Sequence, residues 1–154
     1  NQDVKKIDGC NVPLATLGVL ILWFGWLGFN GGSTFEVSAT LPLIIVNTMM
    51  SGIFGGLTSL ILSWMILSKP DIQSVINGIL AGLVAVTASV NMVTTPIAIL
   101  IGIIGSVLCF FATKLLAERK IDDVIGAFPT HGVAGFGEHW LWLFLATLKP
   151  GGQV

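Results

Sequence analysis

The chain has 154 residues, of which 54% are hydrophobic and 10% charged, seven basic against eight acidic, with a mean hydropathy of +0.92. A water-facing exterior cannot be built from that mixture, because soluble domains carry about 25% charged residues. The composition excludes an ordinary soluble enzyme, and with no basic run it excludes a nucleic-acid binder.

Residues 1–10 are polar and read as a loop; a secretory signal would need a short apolar core and a cleavage site there. Five long apolar segments follow, at 12–33, 41–67, 72–95, 96–117 and 124–148, the third and fourth divided at Pro96. Each is near or above the ~20 residues that carry a helix across ~30 Å of hydrocarbon. The expectation is an all-α, polytopic membrane protein with five transmembrane helices. Alternate crossings put Lys5, Lys6, Lys69, Lys114, Arg119 and Lys120 on one side and Lys149 on the other. By the positive-inside tendency the chain starts in the cytoplasm, and its first helix ends outside near Ser33 and Glu36. Asp122 and Asp123 beside Lys120 read as a solvated cluster in a cytoplasmic loop. Cys10 and Cys109 are too few for a disulfide framework and read as free thiols. An odd number of helices, no initiator Met and the Pro150-Gly151-Gly152 end are expected to mark part of a larger chain.

Glycines recur at three- or four-residue spacing: Gly25 and Gly28 with Gly31 and Gly32, Gly52 with Gly55 and Gly56, Gly78 with Gly82, Gly102 with Gly105, Gly132 with Gly135. Such stripes let helix backbones approach where hydrophobic drive is missing, so packing accounts for them without a substrate.

Three places carry more chemistry. At the outer end of the first helix, residues 24–33 join Trp26 and Phe29 to Ser33 in a glycine-rich stretch. Aromatic faces attract a small cation and a hydroxyl oxygen accepts its hydrogen bonds; the alternative is that Trp23, Trp26 and Phe29 are interfacial and core aromatics. His131 lies within the last apolar segment. In hydrocarbon the uncharged imidazole is the cheaper form, with one nitrogen donating and the other accepting, which suits proton relay. A core histidine bonded to a carbonyl, in a turn made by Pro129 and Gly132, is the alternative. Glu138 is seven residues on, about 10 Å along the axis, too far to share one ion with His131; with His139 it is expected near the outer interface or at a frayed end. No phosphate loop, zinc-type Cys/His cluster or facing acid pair is present, and no metal or cofactor is expected.

The stretches Phe24-Gly25-Trp26-Leu27-Gly28-Phe29-Asn30-Gly31-Gly32-Ser33, Val46-Asn47-Thr48, Asn77-Gly78 with Ala81-Gly82-Leu83-Val84 and Thr87, Asp122-Asp123, and His131-Gly132-Val133-Ala134-Gly135 closely resemble, in order and spacing, the second half of an Amt/Mep ammonium transporter. Rhesus proteins are a poorer match at the first stretch. The resemblance implies an eleven-helix fold of two inverted five-helix repeats and a terminal helix, of which this chain supplies helices six to ten. It implies a homotrimer with one pore per subunit, and a PII-type regulatory protein acting on the full-length protein. It puts Phe29 at the outer aromatic gate, Ser33 in the external ammonium site, His131 as second member of a twin-histidine pair, and Trp26 in the pore lining. The expected function is ammonium or ammonia transport through a hydrophobic pore with a histidine-assisted proton relay. Losing the proton is cheaper than carrying a dry ion, whose burial costs many kcal/mol.

The partners that the resemblance requires in the first repeat are not in this sequence, so this partial copy is expected to be inactive alone. Within the matched region, Gly126 stands where the family often has Asp, and Phe136-Gly137-Glu138-His139-Trp140 replaces small and apolar residues. Residues 148–154 do not resemble the start of an eleventh helix. An ammonium-sensing input domain of a signalling protein is the alternative function, and an inactive paralogue the third.

Overall fold

The computed structural model describes residues 11–35, 37, 39–121, 123 and 125–148. Lys5, Lys6, Cys10, Glu36, Asp122, Val124, Lys149 and the Pro150-Gly151-Gly152 end, used above, lie outside the described residues. Among the described residues every element is helical: α1 Val12–Gly32, α2 Leu41–Leu67, α3 Ile72–Val86 continued by a 3-10 turn Thr87–Ser89, α4 Thr95–Glu118, and a π-helical turn Phe128–Val133 leading into α5 Ala134–Leu148.

Local chemistry sets these ends. The Asn11 side chain accepts from Leu14 N at 2.9 Å, and Pro13 takes a first-turn position whose N–H would have no intrahelical partner. The Asp71 carboxylate caps α3, accepting from Ser74 N at 2.8 Å and Ser74 Oγ at 2.6 Å. Helix α2 stops at Ser68, left-handed at φ 59°.

Two segments depart from expectation. The third does not run to residue 95: helical geometry ends at Ser89. The Asn47 amide from α2 donates to Val90 O at 3.0 Å and Val93 O at 2.9 Å, holding residues 90–93 as a turn, and Pro96 sits in the first turn of α4. The fifth is not one uniform helix over 124–148. Gly126 is left-handed at φ 67°, and the turn after it is π-helical. Asp123 is not merely solvated: its carboxylate caps this entry, Oδ1 accepting from Ala127 N and Oδ2 from Phe128 N, both at 3.0 Å.

Helices α2, α3 and α4 form the centre of the bundle. One core cluster joins Ile44, Ala85, Val86, Val90, Val93, Ala98 and Ile101; a second joins Ala81, Val84, Cys109 and Ala134, with Trp26 packed on it. Glycines permit the close approach: a Cβ on Gly82 or Gly102 would run into the Ser51 backbone, and one on Gly105 would lie 2.7 Å from Ala85 Cβ. Gly25 and Gly28 meet nothing within 4 Å, so close packing is not their role in the described chain. Buried hydroxyls are bonded across the helices, with Ser51 Oγ donating to Gly82 O at 2.7 Å and Ser106 Oγ to Gly55 O at 2.7 Å. Cys109 is a buried free thiol.

Among the described residues four helices, Val12–Gly32, Leu41–Leu67, Ile72–Ser89 and Thr95–Glu118, are long and apolar enough to cross a membrane; the fifth expected span is not one of them, α5 having 15 residues. The chain is a multi-pass membrane protein. Lys69, between α2 and α3, shares one end of the antiparallel bundle with Arg119 and Lys120 beyond α4.

Candidate functional site

The C-terminal half of α1 and its cap carry three of the four residues singled out from sequence. Trp26 is half-buried, and its indole N–H donates to Thr87 Oγ1 at 2.9 Å. The Thr87 hydroxyl donates in turn to Leu83 O at 2.7 Å, so its proton is engaged and its oxygen is what Trp26 meets. One turn further, Phe29 stands edge-on to Trp26, ring centroids 6.3 Å apart and planes at 72°. That is a preferred packing of two ring quadrupoles. The Phe29 ring is exposed, while its carbonyl accepts from Ser33 N at 3.1 Å and Ser33 Oγ at 2.6 Å. With its proton given to that carbonyl, the Ser33 oxygen keeps lone pairs for an incoming donor.

Phe29 and Ser33 line a cavity of about 270 Å³ with Asn30, Thr34, Ile44, Thr87, Ala88, Val90 and Asn91. Its wall is braced from behind. The Asn30 amide donates to Thr48 Oγ1 at 3.0 Å, and Thr48 Oγ1 to Ile44 O at 2.8 Å. Asn47 holds the turn that carries Val90 and Asn91. Sequence reading did not assign Thr87, Asn30 or Asn91 to this site. The available signal was polar residues toward the ends of two apolar runs, which spacing alone does not converge on one place.

His131 lies elsewhere, in the π-helical turn, with an exposed imidazole that bonds none of the described residues. The alternative of a core histidine bonded to a carbonyl is thereby not what the described chain contains. Its depth follows from its neighbours. A Cβ on Gly126 would come within 3.1 Å of Asn77 Cγ, about 8 Å along α3 from its start, and Ala134 packs with Ala81 and Val84. His131 falls between those two levels, within the apolar depth of the bundle. The turn buries Pro129 and Thr130 and turns His131 outward; π turns widen a helix and often occur at functional positions. Trp26 links the two places, since it packs on the cluster that contains Ala134, one turn beyond His131.

Glu138 lies within α5 and is half-buried, and its Oε1 accepts from the backbone N–H of Ala88 in the 3-10 turn, at the same end of the bundle as the cavity of Phe29 and Ser33. His139, one position on, is exposed and tilted against Trp142, ring centroids 6.4 Å apart.

The family model described as the Ammonium Transporter Family matches residues 1–149. The chain is 38% identical over 132 residues to ammonium transporter Amt2 of Archaeoglobus fulgidus, a match covering 85% of this chain and 28% of that protein. Among solved structures, a sensor Amt protein matches with a TM-score of 0.81 at 45% identity, over 84% of this chain and 32% of that one. Mep2 of Candida albicans matches with a TM-score of 0.84 at 34% identity, over 90% of this chain and 31% of that one. The chain spans between 24% and 34% of the length of the curated relatives it matches.

Proposed function

The chain belongs to the ammonium transporter family, and from that premise we propose that it forms part of a transmembrane pathway for ammonium and ammonia. In this reading Phe29 and Ser33 receive the cation in the outer cavity: Ser33 Oγ accepts an ammonium N–H, and the ring face of Phe29 favours its charge. Beyond them the passage is apolar, and an unpaired ion there would cost many kcal/mol, so ammonium gives up its proton and proceeds as ammonia. His131 takes part in moving that proton, one ring nitrogen accepting while the other donates. Trp26, held by Thr87, lies along the route between the two places.

The observation that carries this reading is the pairing of exposed Phe29 with a Ser33 oxygen whose own proton is already committed, on one 270 Å³ cavity. The exposed faces of Phe29 and His131 fit a pathway completed by segments that the relatives carry and this span does not match. We therefore expect the 154-residue chain alone not to transport. A homotrimeric assembly and regulation by a PII-type protein belong to the same proposal for the full-length protein.

The likeness to a sensor Amt protein at 45% identity supports a second reading, in which ammonium occupancy shifts a conformation without driving flux. Uptake of labelled methylammonium by liposomes holding the full-length protein separates the two. Saturable uptake that ammonium competes away supports transport; saturable binding without uptake supports sensing; neither rejects the ammonium site. Uptake by the 154-residue chain alone would overturn the partial-pathway reading.

A further inference from the structure

Glu138 is the one acidic residue of α5, and the pathway described above does not use it. An ionisable side chain at membrane depth is costly, so its surroundings have to account for it. The carboxylate is half-buried and accepts from Ala88 N–H, and no cationic side chain pairs with it among the described residues. Ala88 and Thr87 are themselves wall residues of the cavity that holds Phe29 and Ser33, and Thr87 is the acceptor for Trp26. The carboxylate is thus anchored against the back of that wall. Capping one backbone N–H does not require a charge, since an amide or hydroxyl would do so at a smaller desolvation cost.

We propose that Glu138 is a further specificity-determining residue: its carboxyl behind the Thr87–Ala88 wall, in its ionised form, favours a small monovalent cation of the ammonium type in the outer cavity over the uncharged amine. It acts through space, not by contact. The inference rests on reading that cavity as the cation's entry. With an effective dielectric of ~20–40, a unit charge within about 10 Å of a cation changes its occupancy roughly fourfold or more.

The test is the ammonium dependence of transport by the full-length protein in proteoliposomes, comparing the parent with Glu138→Gln and Glu138→Leu. Gln keeps an acceptor for Ala88 N–H and removes only the charge; Leu removes both. The expected result is a half-saturating ammonium concentration raised roughly fourfold in Glu138→Gln, with maximal rate and thermal midpoint retained. Glu138→Leu should also lose thermal stability. Parent-like half-saturation in Glu138→Gln, or a loss of stability equal to that of Glu138→Leu, would overturn the proposal while leaving the pathway intact. A parent protein without ammonium-dependent transport would overturn the pathway and this inference together.

Discussion

Replacing Asn47 by Ala should loosen the end of the bundle where α3 turns into α4 by about 2–4 kcal/mol. The side chain is fully buried and donates both amide protons, to Val90 O at 3.0 Å and Val93 O at 2.9 Å, while its own Oδ1 has no partner among the described residues. Asn47 is therefore present for its donors. Removing it leaves two buried carbonyls unmatched, at about 0.6–1.7 kcal/mol for each interhelical bond in a membrane bundle. A small void adds to that loss, at about 24 cal/mol per Å³ of cavity that does not collapse. Asn47→Asp should be worse than Ala, because it turns carboxylate oxygens toward the same carbonyls. Thermal unfolding in detergent, followed by near-ultraviolet circular dichroism, measures both. A Asn47→Ala midpoint equal to the parent's, or Asp tolerated better than Ala, would refute the assignment of this residue as the clamp on the 90–93 turn.

Gly126 should resist substitution. Its φ of 67° is strained for a side chain, and a Cβ there would press on the Asn77 amide, so Gly126→Ala should cost about 1–3 kcal/mol in the same unfolding assay. A neutral effect would mean that the entry to α5 relaxes freely. Thr87→Val keeps the shape of the wall but removes the acceptor for Trp26, a net loss of about 0.5–1.5 kcal/mol. It should also raise the half-saturating ammonium concentration; an unchanged value would show that Trp26 needs no fixing.

The helical, membrane-spanning character was legible because it depends on composition and on uninterrupted length, which are read directly along the chain. The end of α3 was not. Residues 90–95 contain nothing before Pro96 that forbids a helix, and what bends them is the amide of Asn47, more than forty positions earlier. Asp123 offered a local signal, an acidic residue just ahead of an apolar run, and the nearby charges masked it as a capping residue. Glu138 shows the wider limit. Seven positions from His131 it lies on nearly the same helical face, yet spacing along one helix does not say what stands opposite, and here it is a backbone N–H of another helix's last turn. For the candidate site, Trp26, Phe29 and Ser33 could be named because they share ten residues of sequence. Thr87, Ala88 and Asn91 come from a segment that only tertiary packing brings beside them.

The central claim is that ammonium reaches a proton relay at His131 by way of the Phe29 and Ser33 cavity. Current recorded on full-length protein in proteoliposomes after an ammonium pulse, with and without His131→Ala, tests it most directly. The account predicts a pulse-dependent current that His131→Ala abolishes or changes in ion selectivity. The same current with unaltered selectivity in His131→Ala would contradict it.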